Sequence, residues 1–263
     1  MNIPGDLLER LRIVETHDPH NKIAAFDLDN TLLIGDCGDA VFNRLKADEL
    51  KTPLRIDNRR IPVTWDDYYD VLLEKGKITA YPMMVRSLAN IPVEKIKEAS
   101  YRMFFSKEKS IEIEGVDIRV PTPHPVMQDV VSYLKSRGFD IYIISATIQY
   151  TVEVAAKEFF GIPGDHVLGM IPRLRRHDVF GDVTEDEIAG PITVADGKID
   201  AYRALAGNTS PLITAGDSIT DLNILNLTHP SGLIIWVDDG NTEKRPEIIQ
   251  KIAHPGNLYF LKR

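Results

Sequence analysis

The chain has 263 residues, of which 43% are hydrophobic and 27% charged. This is the composition of a globular protein and excludes a disordered or collagen-like chain. Against 31 Lys and Arg stand 39 Asp and Glu, a net charge of −8. An acidic surface repels polyanions and argues against nucleic acid as the main partner, but it leaves room for a local anion site built from backbone N–H groups and a metal. One cysteine, Cys37, excludes an intrachain disulfide framework and a cysteine-based zinc site.

Residues 1–21 carry Asp6, Glu9, Arg10, Arg12, Glu15 and Asp18 and no apolar run of signal-peptide length. No stretch approaches the length of a membrane span, so a cytoplasmic location with no membrane partner is the expectation. Leu7, Leu8, Leu11 and Val14 recur at helical spacing and predict an amphipathic helix over 6–16. Residues 22–28 form a short apolar run without helical period, the pattern of a buried parallel strand. The run ends in the polar turn Asp29-Asn30-Thr31, at the edge where open α/β sheets keep their ligand sites.

Residues 36–125 change character. Helical patterns cover 65–73, 81–89 and 93–105, and 111–120 suits a small strand or two. Thr64 and Asp67 have the spacing of a capping box. Trp65, Tyr69 and Leu72 share a helical face and read as core in preference to an aromatic cage for a cation. The segment closes in the stiff run Pro121-Thr122-Pro123-His124-Pro125, where His124 reads as a hinge residue. An inserted, mainly helical domain over 36–125 is the expectation, with 1–35 and 126–263 forming the other domain.

After the prolines an α/β rhythm returns. A helix is predicted over 126–136 with Gly138 suited to its C-cap, a strand over 139–144, a helix over 151–160 closed by Gly161, and a short strand over 166–170. Residues 173–193 read as a β-excursion whose Arg173, Arg175, Arg176 and His177 face solvent. A helix over 198–205 has Asp196 placed to cap it. A strand over 211–216, a final strand over 232–237 and a helix opened by Pro246 complete the chain. The alternation predicts an α/β fold with a doubly wound, mainly parallel sheet.

Four polar clusters fall at element boundaries: Asp27-Leu28-Asp29-Asn30-Thr31, Ser145-Ala146-Thr147, Gly197-Lys198 and Gly216-Asp217-Ser218-Ile219-Thr220-Asp221. In a parallel sheet the three that follow strands share one edge, and Lys198 at a helix start can lie beside them. Asp27, Asp29, Asp217 and Asp221 together need a cation to offset their repulsion. All-oxygen ligands point to a hard ion, Mg²⁺ in preference to Zn²⁺. A lysine and a serine beside it complete a pocket for a phosphoryl group.

In these clusters the sequence resembles the haloacid dehalogenase superfamily, in its phosphoserine phosphatase-like branch with a cap inserted between the first two motifs. Asp27-Leu28-Asp29-Asn30-Thr31 matches the first motif, Ser145 the second, Lys198 the third, and the segment Gly216 to Asp221 the fourth, with Thr220 where many relatives carry Asn. The resemblance implies a Rossmann-like core and a Mg²⁺-dependent phosphatase acting on a small phosphorylated metabolite, phosphoserine or an amino-alcohol phosphate first. It implies Asp27 as nucleophile, through an aspartyl-phosphate. Asp29 is then general acid and base, protonated at the start, and its presence favours phosphate esters over carbon–halogen bonds. Ser145 and Lys198 would bind phosphate, and Asp27, the backbone carbonyl of Asp29 and Asp217 the metal, with Asp221 nearby or supporting from behind. A phosphotransferase of the same superfamily, or a binding protein that keeps the fold without turnover, are the alternatives. Arg86, Arg102 and the 173–176 arginines are open candidates for a substrate carboxylate, and Cys37 has no base placed to activate it.

Overall fold

Leu7, Leu11 and Val14 turn inward as helix α1 (Gly5–His17), which lies against the sheet. The computed structural model describes residues 2–18 and 20–263. Strand β1 (Ile23–Phe26) follows, and then a two-residue strand, β2 (Leu33–Ile34). Asp36 caps helix α2 (Cys37–Glu49), its carboxylate accepting from the Asp39 amide at 3.0 Å. The helical patterns ahead appear as α3 (Trp65–Lys75), α4 (Lys77–Ser87) and α5 (Val93–Phe105). The Thr64–Asp67 capping box is formed. A hairpin of β3 (Ser110–Ile113) and β4 (Val116–Arg119) turns at Glu114 and Gly115, both at positive φ. Then β5 (Thr122–Pro123) pairs antiparallel with β2, so the two chain segments that lead into and out of the helices form one ladder.

Pro125 opens α6 (Pro125–Ser136), where His124 is the N-cap. After it come β6 (Asp140–Ile148) and α7 (Gln149–Ala155), the latter extended by a π-turn over Ala156–Phe160 and closed by left-handed Gly161. β7 (Val167–Met170) leads into the hairpin of β8 (Pro172–His177) and β9 (Gly181–Ile188). The remaining elements are α8 (Asp196–Ala206), β10 (Ile213–Gly216), α9 (Leu222–Leu225), β11 (Leu233–Asp238), α10 (Arg245–Lys251) and β12 (Leu258–Lys262). No helix among the described residues is long and apolar enough to cross a membrane.

Six strands form one sheet in the order β12-β11-β10-β1-β6-β7, every pair parallel. Strand alternation serves both faces. Ala24 and Phe26 of β1 join the large core with α1 and α6, while Ala25 packs with Ala201 and Tyr202 of α8. Further along that second face, Ile234 and Trp236 meet Ile248 of α10 and Ile252 just after it. The order reverses direction at β1 and β10, which places a crevice beyond their carboxyl ends.

Four details depart from the sequence reading. Helix α2 went unpredicted, although Cys37, Ala40, Val41, Phe42 and Leu45 are buried along it. The last strand is β12, not β11. Asp196 does not cap α8: it is the first helical residue, Ala195 holds the cap position at φ 51, and the Asp196 carboxylate accepts from Asn223. On α3 it is Tyr68, not Tyr69, that is buried beside Trp65.

Helices α4 and α5 also meet the β8–β9 hairpin: Thr184 Oγ1 donates to Leu88 O at 2.7 Å, and Arg175 donates to Asn90 Oδ1 at 3.0 Å. Arg173 and Arg176 stay exposed in ion pairs with Glu187 and Asp182, as expected of a solvated excursion.

Candidate active site

Parallel pairing of β1 with β10 puts the residues after each strand side by side, and the Asp27 amide donates to Ala215 O at 3.0 Å. The Asp27 carboxylate is buried. Its Oδ1 accepts from Lys198 Nζ at 2.6 Å and its Oδ2 from Thr31 Oγ1 at 3.0 Å. Lys198 reaches it from the first turn of α8 and also donates to Asp221 Oδ1 at 2.5 Å. Burial opposes the Lys198 charge, but the Asp221 and Asp27 carboxylates outweigh it and hold the ammonium above its ordinary pKa. Burial pushes the Asp27 carboxyl well up; Lys198 pulls against this, and Asp221, Asp217 and Asp29 add to it.

The loop after β10 closes on itself. Asp221 Oδ2 accepts from the amides of Asp217 and Ser218 and from Ser218 Oγ, at 3.2, 2.9 and 3.1 Å. The turn requires Gly216, because a Cβ there would lie 2.6 Å from Asp221 Cβ. Asp217 is pushed up to about 7, by burial first and the Asp221 charge second, against Arg263, Lys77 and Lys198.

Carboxylate oxygens of Asp27, Asp217 and Asp221 come within 4.8 Å of one another. Three hard oxygen donors that crowd to this degree fit a divalent cation of the Mg²⁺ type. Asp221, expected nearby or in support, is thus one of the three that converge. The Asp29 side chain is turned elsewhere: Oδ1 accepts from the Cys37 amide at 2.6 Å, and Oδ2 from Ser145 Oγ and Thr147 Oγ1, each at 2.9 Å.

Ser145 therefore sits differently from expectation. Strand β6 continues through it to Ile148, its side chain is fully buried, and its hydroxyl serves Asp29 and the Thr147 amide. Thr147, two residues on along the same face of the strand, is the hydroxyl that lines the cavity.

That cavity encloses about 690 Å³ of empty space, open solvent at its mouth included. Asp27, Asp29, Lys198, Asp217 and Asp221 form its floor. Val41 and Phe42 of α2, Met84 and Val85 of α4 and Leu88 just after it form an apolar wall. Asp36, Asp39, Lys77 and Tyr81 add polar groups on the same side. Asp39 is pushed up to about 7 by burial and then by Asp29, against a Tyr68 hydrogen bond and Lys77. Burial, then Asp39 and Asp29, raise Asp36 well above the usual range. These four residues were missed in the sequence. The available signal was Asp36 and Asp39 at i, i+3 spacing, opening an unrecognised helix directly after the first motif.

The other candidates lie apart. Arg86 pairs with Asp186 and Arg102 with Asp48, and neither arginine lines the cavity. Cys37 is buried, its thiol pushed well up by burial and then by Asp29. His124 Nδ1 accepts from the Met127 amide at 3.4 Å, and burial lowers its pKa.

A parallel sheet with paired aspartates after its first strand, a lysine from a helix start and an acidic loop after a fourth strand defines a hydrolase of the haloacid dehalogenase type. The chain belongs to that family: residues 24–226 match the model of haloacid dehalogenase-like hydrolases. A search of curated proteins returned no significant match. Among solved structures, a conserved protein of unknown function from Anaerococcus prevotii is similar with a TM-score of 0.61 and 22% identity, over 97% of this chain and 91% of that one. A HAD family hydrolase from Salmonella enterica serovar Typhi gives 0.54 and 19%, over 95% and 76%. A phosphoserine phosphatase, as an analogue of its phospho-aspartyl intermediate, gives 0.52 and 18%, over 89% and 91%. In fold the chain is similar to phosphoserine phosphatases.

Proposed function

We propose that the chain is a Mg²⁺-dependent phosphatase that hydrolyses a small phosphomonoester through an aspartyl-phosphate on Asp27. The observation that carries this reading is the buried Asp27 carboxylate, fixed by Lys198 and Thr31 on a floor shared with Asp217 and Asp221 and flanked by a second carboxyl, Asp29. An Asp27 oxygen attacks phosphorus, and the bond from phosphorus to the leaving oxygen breaks. Asp29 gives its proton to that oxygen. It then takes a proton from the water that attacks the acyl phosphate, and Asp27 is released with inorganic phosphate. In the resting structure Ser145, Thr147 and the Cys37 amide hold the Asp29 carboxylate away from Asp27, so both proton transfers require its side chain to turn back toward the phosphoryl group.

Asp27 and Asp217 would hold the cation, joined by the Asp29 carbonyl, with Asp221 beside them in support because Lys198 and the loop donors already occupy its oxygens. When bound, it neutralises charge on the phosphoryl oxygens and on the carboxylates. Lys198 adds a fixed positive charge beside the nucleophile, and the Thr147 hydroxyl offers a donor from the cavity wall. Residues 36–125 act as a cap that excludes bulk water and selects small leaving groups. Asp36 and Asp39 on that cap suit an ammonium group, which supports an amino-alcohol phosphate or phosphoserine as substrate.

The test is turnover of p-nitrophenyl phosphate, followed by a screen of phosphorylated metabolites. Turnover is expected with Mg²⁺, none with chelator, and a loss of at least about 10³-fold in Asp27→Asn and in Asp29→Ala. Undiminished turnover in Asp27→Asn would sink the covalent route.

A further inference from the structure

Strand β12 runs parallel to β11 with Lys262 beside Asp238, so the next residue emerges at the edge of the sheet that carries Asp27 and Asp217. The Arg263 amide is fixed there by Asp238 O at 2.9 Å. Its side chain reaches back past β11. One terminal nitrogen donates to Asp217 Oδ2 at 3.1 Å and the other to Asn30 Oδ1 at 3.0 Å. Asn30 stands in the left-handed region at φ 59, in the turn that follows the nucleophile, and its amide donates to Gly35 O at 3.1 Å. One planar group thus ties the loop after β1 to the loop after β10. Arg263 Nε is buried without a partner, so the guanidinium keeps this place at a desolvation cost that its two terminal bonds must offset.

We propose that Arg263 is a positioning residue for the cation site. Its bond occupies Asp217 Oδ2 and fixes the rotation of that carboxylate, while its other arm locks the Asn30 turn against it. The inference rests on the reading of Asp27 and Asp217 as metal ligands. The fork matters as well as the charge: a lysine carries the same charge on a single point and cannot hold both oxygens in one plane. The sign of the effect separates the two roles. Positive charge beside a metal ligand repels the metal, so a residue acting through charge alone would, on removal, leave a site that binds Mg²⁺ more tightly. A residue that positions the ligand leaves a weaker one.

The experiment is titration calorimetry of the full chain with Mg²⁺ alone, without substrate. Each variant's melting temperature in chelator is recorded to confirm that it is folded. Asp217→Asn is expected to lose binding. Arg263→Ala and Arg263→Lys are each expected to weaken it by roughly tenfold, the lower end for partners of metal ligands. Asn30→Gly, which keeps the backbone conformation and removes one arm, is expected to weaken it less. The double variant Arg263→Ala with Asn30→Gly should bind no more weakly than Arg263→Ala alone. Wild-type affinity in Arg263→Lys, or tighter binding in Arg263→Ala, would overturn the positioning role. Unchanged binding in Asp217→Asn would overturn the metal reading itself, whereas loss there with both Arg263 variants unaffected would overturn the Arg263 inference alone.

Discussion

Lys198 Nζ lies 2.6 Å from Asp27 Oδ1 with both side chains buried, so the proposed nucleophile and the ammonium beside it form one solvent-excluded pair. Asp221 makes the third member at 2.5 Å. Removing one partner from such a group leaves uncompensated buried charge, which costs about 3–5 kcal/mol. Lys198→Met is therefore expected to destabilise the metal-free protein by about that amount and to lower kcat/KM by roughly 10²–10³-fold. Mg²⁺ should restore part of the melting temperature, because a cation beside Asp27 and Asp221 replaces some of the missing charge. Thermal melts with Mg²⁺ and with chelator check this; a variant that melts like wild type in chelator would refute it.

The acidity of the floor sets a direction for stability against pH. Asp217 and Asp39 are both pushed up to about 7, burial being the main cause in each. Between the ordinary carboxylate range and pH 7 the folded form binds more protons at these groups than the unfolded form. Its stability therefore falls as pH rises through that window and levels off above it. The metal-free protein should melt several degrees higher at pH 5 than at pH 8. Mg²⁺ displaces the proton from Asp217, so the stabilisation it gives should be larger at pH 8. Asp39→Asn should flatten part of the slope. Metal-free melts that climb between pH 5 and 8 would contradict the assignment.

Elements with a strong local signal were legible in the sequence: the helix at 93–105 and the Thr64–Asp67 capping box. The motif residues were legible because each follows a strand or opens a helix of the expected kind. Helix α2 was not, because its charged residues interrupt the apolar period. Arg44, Lys46 and Asp48 are buried by ion pairs and hydrogen bonds that no window of sequence shows. Strand β12 was hidden for a related reason: Tyr259 and Phe260 are only partly buried on an edge strand. The Ser145–Thr147 distinction depends on β6 running four residues beyond the apolar run, held there by pairing of Ile148 with Met170. The Arg263 contact joins residues 46 and 233 positions apart, a separation beyond any motif.

Gly197 marks the tightest approach near the lysine. A Cβ at this position would lie 1.7 Å from Ile192 O, a backbone atom that has nowhere to go. Ala195, two residues earlier, already carries φ 51 to bring the chain into α8. Gly197→Ala must therefore displace the first turn of α8 and Lys198 with it. The expected cost is about 3 kcal/mol or more, among the larger values for a single substitution, together with loss of turnover. Gly256→Ala is the control, since a Cβ there meets nothing within 4 Å. Denaturant melts of the two variants make the comparison; equal midpoints would refute it.

Trp65 distinguishes a structural aromatic cluster from a cation cage. Its indole is 1% exposed, donates to Asn43 Oδ1 at 2.6 Å and stands edge-on to Phe42 with ring centroids 5.3 Å apart. Phe42 lines the cavity, but Trp65 itself does not. Asn43 in turn holds the β3–β4 hairpin through Ile111 O at 2.6 Å. Trp65→Phe keeps the packing and leaves the buried Asn43 oxygen without its donor, at a cost of about 1–3 kcal/mol. Trp65→Ala adds a cavity and should cost about 3–5 kcal/mol. Because the ring reaches no ligand, Trp65→Phe should leave KM within about twofold for p-nitrophenyl phosphate and for phosphoethanolamine alike, while the melting temperature falls. A selective rise in KM for the amino-alcohol ester, with stability unchanged, would instead identify the aromatic cluster as part of the substrate site.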